Sequence, residues 1–334
     1  MASRFRDNPS KQIVREKWDT PVLKYLYDIY KVRYRYMGLP GVDLLDVKLW
    51  KNMIDEVIAF EPPDQGSDER ASIIQLRRNM KLLGVPGIAY WGSFEEVVIR
   101  REDYEGQKYS QDKVVNLYNL DFCDEIASRI RTRKSGEKVW RFEAIRQVLR
   151  DHVECYKNTG GPNWFILMLT IRNQIDAKKI RQFLRSQLLA EAKEFKEKCE
   201  VQKPLPQDGS LTRSYAWAIK TFLFNFLCQK FANPNISALF FPQVLYTGTT
   251  ISSPMLHWLI LCRIAPQEAH APEIFPDPYL ACSSVSVKNN VQLVWAAQTG
   301  ENVGGPQPPD SVRWLTDFGG EFLSGLSGAG QSRS

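Results

Sequence analysis

The chain has 334 residues, of which 43% are hydrophobic and 25% charged, and it carries a formal net charge of +6. That is the composition of a globular chain with a sizeable core. No apolar run approaches the roughly 18 residues of a membrane span, so no membrane partner is expected. The polar start (Met1 to Arg15) lacks the apolar stretch of a secretory signal, and no lipidation signal is seen at the other end.

Residues 13 to 33 read as a helical entry segment, with Val22, Leu23, Leu26, Ile29 and Tyr30 at three-to-four spacing and Pro21 in the first turn. YRYMGLPG then leads into a helix of roughly Leu44 to Ile54. Val57 to Phe60, stopped by Glu61-Pro62-Pro63, has the look of a buried parallel strand. Ser67 to Leu83 reads as a helix ended by Gly84. Gly87 to Trp91 is a brief strand followed by the acidic turn Gly92 to Glu96. Lys113 to Leu120 is a stronger strand with Asp121-Phe122-Cys123-Asp124 at its end. Val139 to Tyr156 reads as helix, Trp164 to Ile171 as buried strand, and Ala177 to Cys199 as a charged amphipathic helix whose basic residues alternate with Glu191, Glu194 and Glu197. Strand and helix alternating at this rhythm predict an α/β fold, a Rossmann-like doubly wound and mostly parallel sheet.

Leu211 to Phe231 reads as an aromatic-rich helix that covers the sheet or meets a partner chain. Leu239 to Tyr246 and Leu256 to Ile264 suggest a C-terminal antiparallel hairpin, with one further strand around Val291 to Ala296. The expected division is an N-terminal helical segment (1–33), a main domain (34–265), a Pro-rich extension (266–323) and a disordered tail (324–334).

Cys123, Cys155, Cys199, Cys228, Cys262 and Cys282 form no CxxC pair, and His152, His257 and His270 are equally dispersed. No metal site is expected, and the cysteines read as free thiols of a reducing, cytoplasmic compartment.

Ligands of open parallel sheets bind beyond the carboxyl ends of the strands. Three such ends carry suggestive residues. Gly38-Leu39-Pro40-Gly41 precedes a helix, where backbone N–H groups are free for an anion, although a plain Gly-Pro turn fits the same residues. Glu61 ends the second strand, where a carboxylate can accept hydrogen bonds from both hydroxyls of an adenosine ribose, or simply be solvated beside a turn. Asn119, Asp121 and Phe122 end the middle strand, where amide and acid could orient a substrate and the ring could stack on a base, or where an Asx turn simply ends the strand with Phe122 in the core.

Taken together, these segments resemble class I S-adenosylmethionine-dependent methyltransferases over roughly residues 30 to 265. VIAFEPP is similar to the second-strand motif of many members, and the hairpin of 239 to 264 resembles the reversed last strand that separates this fold from ordinary Rossmann domains. NLDFCD looks more narrowly like bacterial three-Cys-motif partner-type proteins, some linked to defence against phage. The resemblance implies S-adenosylmethionine as cofactor, with Gly38, Gly41, Glu61 and Ser93 binding it and Asn119, Asp121 and Phe122 in the catalytic place. The chain departs from the family in two ways. Leu120 and Asp121 stand where aminomethyltransferases carry two prolines, and Tyr36 and Met37 stand where the first loop has its acid.

Arg129, Arg131, Arg133 and Lys134, with Trp140 and Arg141, form a cationic run interleaved with an aromatic. Cations neutralise phosphates and aromatics stack on bases, so this segment is the candidate DNA or RNA contact; a solvated face is the alternative. Two readings stay open. One is a methyltransferase-like protein, active or degenerate, acting on or near nucleic acid. The other is a non-catalytic scaffold or interaction subunit of a bacterial anti-phage defence complex. A nicotinamide-dependent enzyme ranks lower because the glycine fingerprint is absent.

Overall fold

The computed structural model describes residues 9–64, 66, 68–122, 129–132, 136–172, 236–241, 244–247, 254–264 and 311–326. Its centre is a sheet containing β1 (Tyr34–Gly38), β2 (Ile54–Glu61), β3 (Gly87–Trp91), β4 (Leu117–Asp121), β7 (Trp164–Arg172), β8 (Ile236–Phe240), β9 (Val244–Thr247) and β10 (Pro254–Ile264). The order is β3-β2-β1-β4-β7-β10-β8, with β9 on the free part of β10. β1 pairs in parallel with β2 and β4, as do β2 with β3 and β4 with β7. β10 runs antiparallel to β7, β8 and β9. The fold is therefore α/β and Rossmann-like, a mostly parallel sheet closed by a reversed strand. The first arm of the expected hairpin is split into β8 and β9, both laid on β10.

Alternate strand residues face two separate cores, as the period of two in a strand requires. Tyr34, Tyr36, Val57, Ala59, Leu117 and Ile166 join one cluster, and Met37, Ile58, Phe60, Tyr118, Leu120 and Phe165 the other. The first core includes residues from α2 (Thr20–Tyr30), α3 (Leu45–Trp50), α4 (Ala71–Leu83), α7 (Ser311–Phe318) and α8 (Gly320–Ser324); the second includes residues from α5 (Phe94–Arg100) and α6 (Arg141–Thr159). Helices thus cover both faces. The N-terminal segment, α1 (Pro9–Val14) and a π-helical turn Arg15–Asp19, contributes Val14 and Trp18 to the first core. The Ser311 hydroxyl donates to the Trp18 carbonyl at 2.8 Å, and the Tyr30 hydroxyl to the Leu323 carbonyl at 2.9 Å.

Several boundaries differ from the sequence reading for local reasons. The helix expected from Leu44 to Ile54 ends at Trp50, and Ile54 already opens β2. The helix expected from Ser67 begins at Ala71, where the Asp64 carboxylate accepts from the Ser72 amide and hydroxyl. The helix expected from Val139 begins at Arg141, because Lys138–Trp140 is a short strand, β6, paired with β5 (Arg129–Arg131). The elements expected at Ala177–Cys199, Leu211–Phe231 and Val291–Ala296 lie outside the described residues. Among the described residues, Cys155 and Cys262 are buried and in no disulfide, and no helix is long and apolar enough to cross a membrane.

Gly87 fixes the approach of β3 to β2. Its φ is 149°, and a Cβ there would sit 1.9 Å from the Val57 carbonyl oxygen. Gly87→Ala is expected to cost more than about 3 kcal/mol in urea unfolding, because backbone rather than a mobile side chain would have to give way. A cost below about 1 kcal/mol would mean that the strands separate freely there.

Candidate functional site

Register places the sequence candidates on one rim. Gly38 at the end of β1 is level with Ala59 of β2 and Asn119 of β4, so Glu61 lies just beyond on the same edge. The Leu39 amide donates to the Asn119 carbonyl at 3.1 Å, holding the first loop against β4. Glycine is required at position 38, since a Cβ would come within 2.3 Å of that same carbonyl oxygen. The loop turns at Gly41, φ 63°, and nothing lies within 4 Å of a Cβ built there. The rim is open beside this glycine.

Glu61 is half-buried, and among the described residues its carboxylate has no hydrogen bond or ion pair. Loss of solvent, reinforced by the nearby Asp64, raises its pKa from 4.5 to about 7. A poorly solvated, unpaired acid at a strand end costs stability when ionised, and such groups cluster at functional sites. Its backbone carbonyl accepts from the Gly92 amide at 2.9 Å, tying the β2 and β3 ends together. Ser93 follows as the N-cap of α5, its hydroxyl accepting from the Glu96 amide at 3.2 Å.

The end of β4 is differently arranged. Asn119 is buried and donates to the Asp46 carboxylate at 2.5 Å. Asp46, itself buried, pairs with Arg15 Nε at 2.5 Å. Burial raises the Asp46 pKa, opposed chiefly by the charges of Arg15 and Lys11. Asp121 forms an ion pair with Lys11. Next to them, His257 Nε2 lies 2.9 Å from Asp19 and its Nδ1 2.9 Å from the Thr170 hydroxyl. These groups surround a cavity of about 10 Å³, room for a single water. Lys11, Arg15 and Asp19, four residues apart, thus present one polar face of the N-terminal segment to the end of β4.

Lys11, Arg15, Asp19, Thr170 and His257 were not among the sequence candidates. The only sequence signal was that four-residue spacing of charges ahead of an apolar helix. Tyr36 is fully buried, with its hydroxyl pKa pushed well up by burial and by Asp46.

Phe122 is buried, with Phe94 at 5.8 Å and the Arg141 guanidinium 4.2 Å from its ring centre. The expected cationic surface shrinks for the same reason. Arg141 is 5% exposed and pairs with the buried Glu95 at 2.7 Å, so it is a core residue of the α5–α6 contact rather than a phosphate contact. Trp140 is buried too, with the Arg129 guanidinium 3.6 Å from its ring centre, so it is not presented to a base. Arg131 and Lys138 remain exposed on the β5–β6 ribbon, while Arg133 and Lys134 lie outside the described residues. Among the described residues no group of three His, Cys, Asp or Glu side chains is placed to hold a metal ion.

No family model and no curated protein matches the chain. Among solved structures it is similar to a SAM-dependent methyltransferase from Agrobacterium tumefaciens (TM-score 0.35, 11% identity, covering 78% of this chain and 63% of that one). A tomaymycin-synthesis O-methyltransferase from Streptomyces achromogenes gives TM-score 0.33 at 6% identity, covering 78% and 91%. A tRNA methyltransferase from B. subtilis gives 0.31 at 12% identity, covering 88% and 93%. All three are distant likenesses.

Proposed function

We propose that the rim formed by Gly38, Gly41 and Glu61 binds S-adenosylmethionine and that the chain is a methyltransferase-like protein. The observation that carries this reading is the Glu61 carboxylate, unpaired among the described residues and two residues beyond the position level with the close-packed Gly38 of the neighbouring strand. A ribose diol supplies the two donors such a carboxylate lacks, and the exposed Gly41 is where the amino-acid portion would approach the backbone. When bound, the sulfonium supplies the electrophilic methyl group. The chain's own share is to position the donor, exclude water and hold the acceptor, the last falling to Asn119 and Asp121. A thermal-shift series tests this: S-adenosylmethionine and S-adenosylhomocysteine should each raise Tm, and a nicotinamide dinucleotide should not. Stabilisation by the nicotinamide compound alone would replace this reading with the dehydrogenase one.

A second reading has its own support. Asn119 and Asp121 are both engaged by the N-terminal segment through Asp46, Arg15 and Lys11, which suits a scaffold whose acceptor site has closed. In that case the chain is an interaction subunit, in keeping with the narrower resemblance to three-Cys-motif partner-type proteins and a defence complex. A cofactor that binds with no label transferred to any acceptor would favour it.

Nucleic acid is the partner class to test first, at the exposed Arg131 and Lys138 with the neighbouring Arg133 and Lys134. Changing all four to Ala should weaken RNA or DNA binding and flatten the slope of log K against log salt by about 3, at roughly 0.7–0.9 per lost phosphate contact. An unchanged slope would remove the ribbon from the interface.

A further inference from the structure

We propose that Lys11 is a modification site: the amine held by Asp121 at the end of β4 is a methyl acceptor of this same chain. The inference rests on the rim binding S-adenosylmethionine as proposed above.

The acid expected to hold an acceptor already holds an amine. Asp121, with its side chain 7% exposed, is ion-paired to Lys11, whose side chain is 31% exposed. The amine is thus fixed on one side by the carboxylate and is not sealed into the core. Its backbone is fixed as well: Val14 and Trp18 pack into the core, Arg15 is paired to Asp46, and Asp19 meets His257. Three polar attachments in four-residue steps register the segment on the end of β4, on α3 and on β10, so Lys11 cannot slide to another position without breaking all of them. Asn119, level with Gly38 on the rim, lines the same small cavity as Lys11 and Asp121. Holding an amine in place beside a bound donor makes the transfer intramolecular, which is the largest single advantage an acceptor can have.

The step balances. The Lys11 ammonium gives one proton to solvent, with Asp121 accepting its hydrogen bond. The nitrogen lone pair then forms a bond to the methyl carbon as the carbon–sulfur bond breaks. The electron pair stays on sulfur, converting the sulfonium to the neutral thioether of S-adenosylhomocysteine, and the nitrogen becomes a charged secondary ammonium. Asp121 can hold that product cation as it held the first, so a second transfer meets the same geometry.

The test uses the full chain. Binding of S-adenosylmethionine and S-adenosylhomocysteine is first measured by calorimetry. The chain is then incubated with S-adenosylmethionine carrying an isotopically labelled methyl group, and every lysine peptide is mapped by mass spectrometry. In parallel, acetylation of each lysine by acetic anhydride is timed with and without S-adenosylhomocysteine, a readout that needs no turnover. Label is expected on Lys11, absent in Lys11→Arg and reduced about tenfold or more in Asp121→Asn. S-adenosylhomocysteine is expected to slow acetylation of Lys11 several-fold and to leave Lys113, 70% exposed, unchanged. Binding with no label on Lys11 and no change in its acetylation overturns the inference while the cofactor reading stands. No binding of either compound overturns both.

Discussion

Glu61→Gln is expected to make the protein more stable above pH 7 and a poorer binder. The Glu61 pKa is raised from 4.5 to about 7 by lost solvation and by Asp64. A carboxyl whose folded pKa lies above its unfolded one contributes stability that is fully present below pH 4.5 and lost as pH rises to about 7. At pH 8 the ionised, poorly solvated carboxylate therefore works against folding by roughly 2–3 kcal/mol, and the neutral amide removes that cost. Urea unfolding of wild type and variant should coincide near pH 4 and diverge through neutrality, with the variant the more stable. A ligand whose hydroxyls donate to the carboxylate favours its ionised form, so wild-type affinity should fall as pH drops below about 7. Curves that stay parallel across this range would mean that Glu61 is solvated and ordinary.

Glu95→Ala is expected to cost about 3–5 kcal/mol, because it leaves the Arg141 guanidinium buried without its carboxylate. Glu95 and Arg141 are 2% and 5% exposed, and their 2.7 Å contact joins α5 to α6. The same arginine covers the ring of Phe122 at the β4 end, so loss of the pair should also loosen that corner. Replacing both partners with apolar residues of similar size, Glu95→Leu with Arg141→Met, should recover most of the stability, since neither charge is then stranded. Urea unfolding measures all three chains. A single substitution costing less than about 1 kcal/mol would show that water reaches the pair.

The strands of the sheet were legible where they are apolar on both faces. Val57–Phe60 and Trp164–Ile171 announce themselves because helices on both sides bury every residue, and Gly87–Trp91 is short, with only Ala89 and Tyr90 fully buried. β1 was not named as a strand, because Arg35 interrupts it. Its charge is met by Glu56 on β2 and by Asp112, partners that only the folded sheet supplies. The same limit explains the cationic run. Counting Arg141 among surface cations was reasonable from its neighbours, yet its partner Glu95 lies on another helix.

At the candidate site, the positions of Gly38, Glu61 and Asn119 followed from strand ends and turn residues. The company kept by Asn119 and Asp121 did not. Lys11 and Arg15 reach Asp121 and Asp46 from the far end of the chain, and a helical charge spacing alone does not say which acid it will meet. Tyr36 is buried in the first strand, and the carboxylate of Asp46 from α3 arrives beside it, a contact between elements that the order of residues does not announce.

The proposed function depends on one physical property, room beyond the strand ends for an adenosine whose ribose meets Glu61. Calorimetric titration of S-adenosylmethionine into wild type and Glu61→Gln at pH 8 measures it directly. Saturable one-to-one binding is expected, weakened in the variant by roughly ten- to hundredfold, the loss of a charged hydrogen bond of about 1.5–3 kcal/mol. Absence of heat in the wild type, or equal affinity in the two proteins, would contradict it.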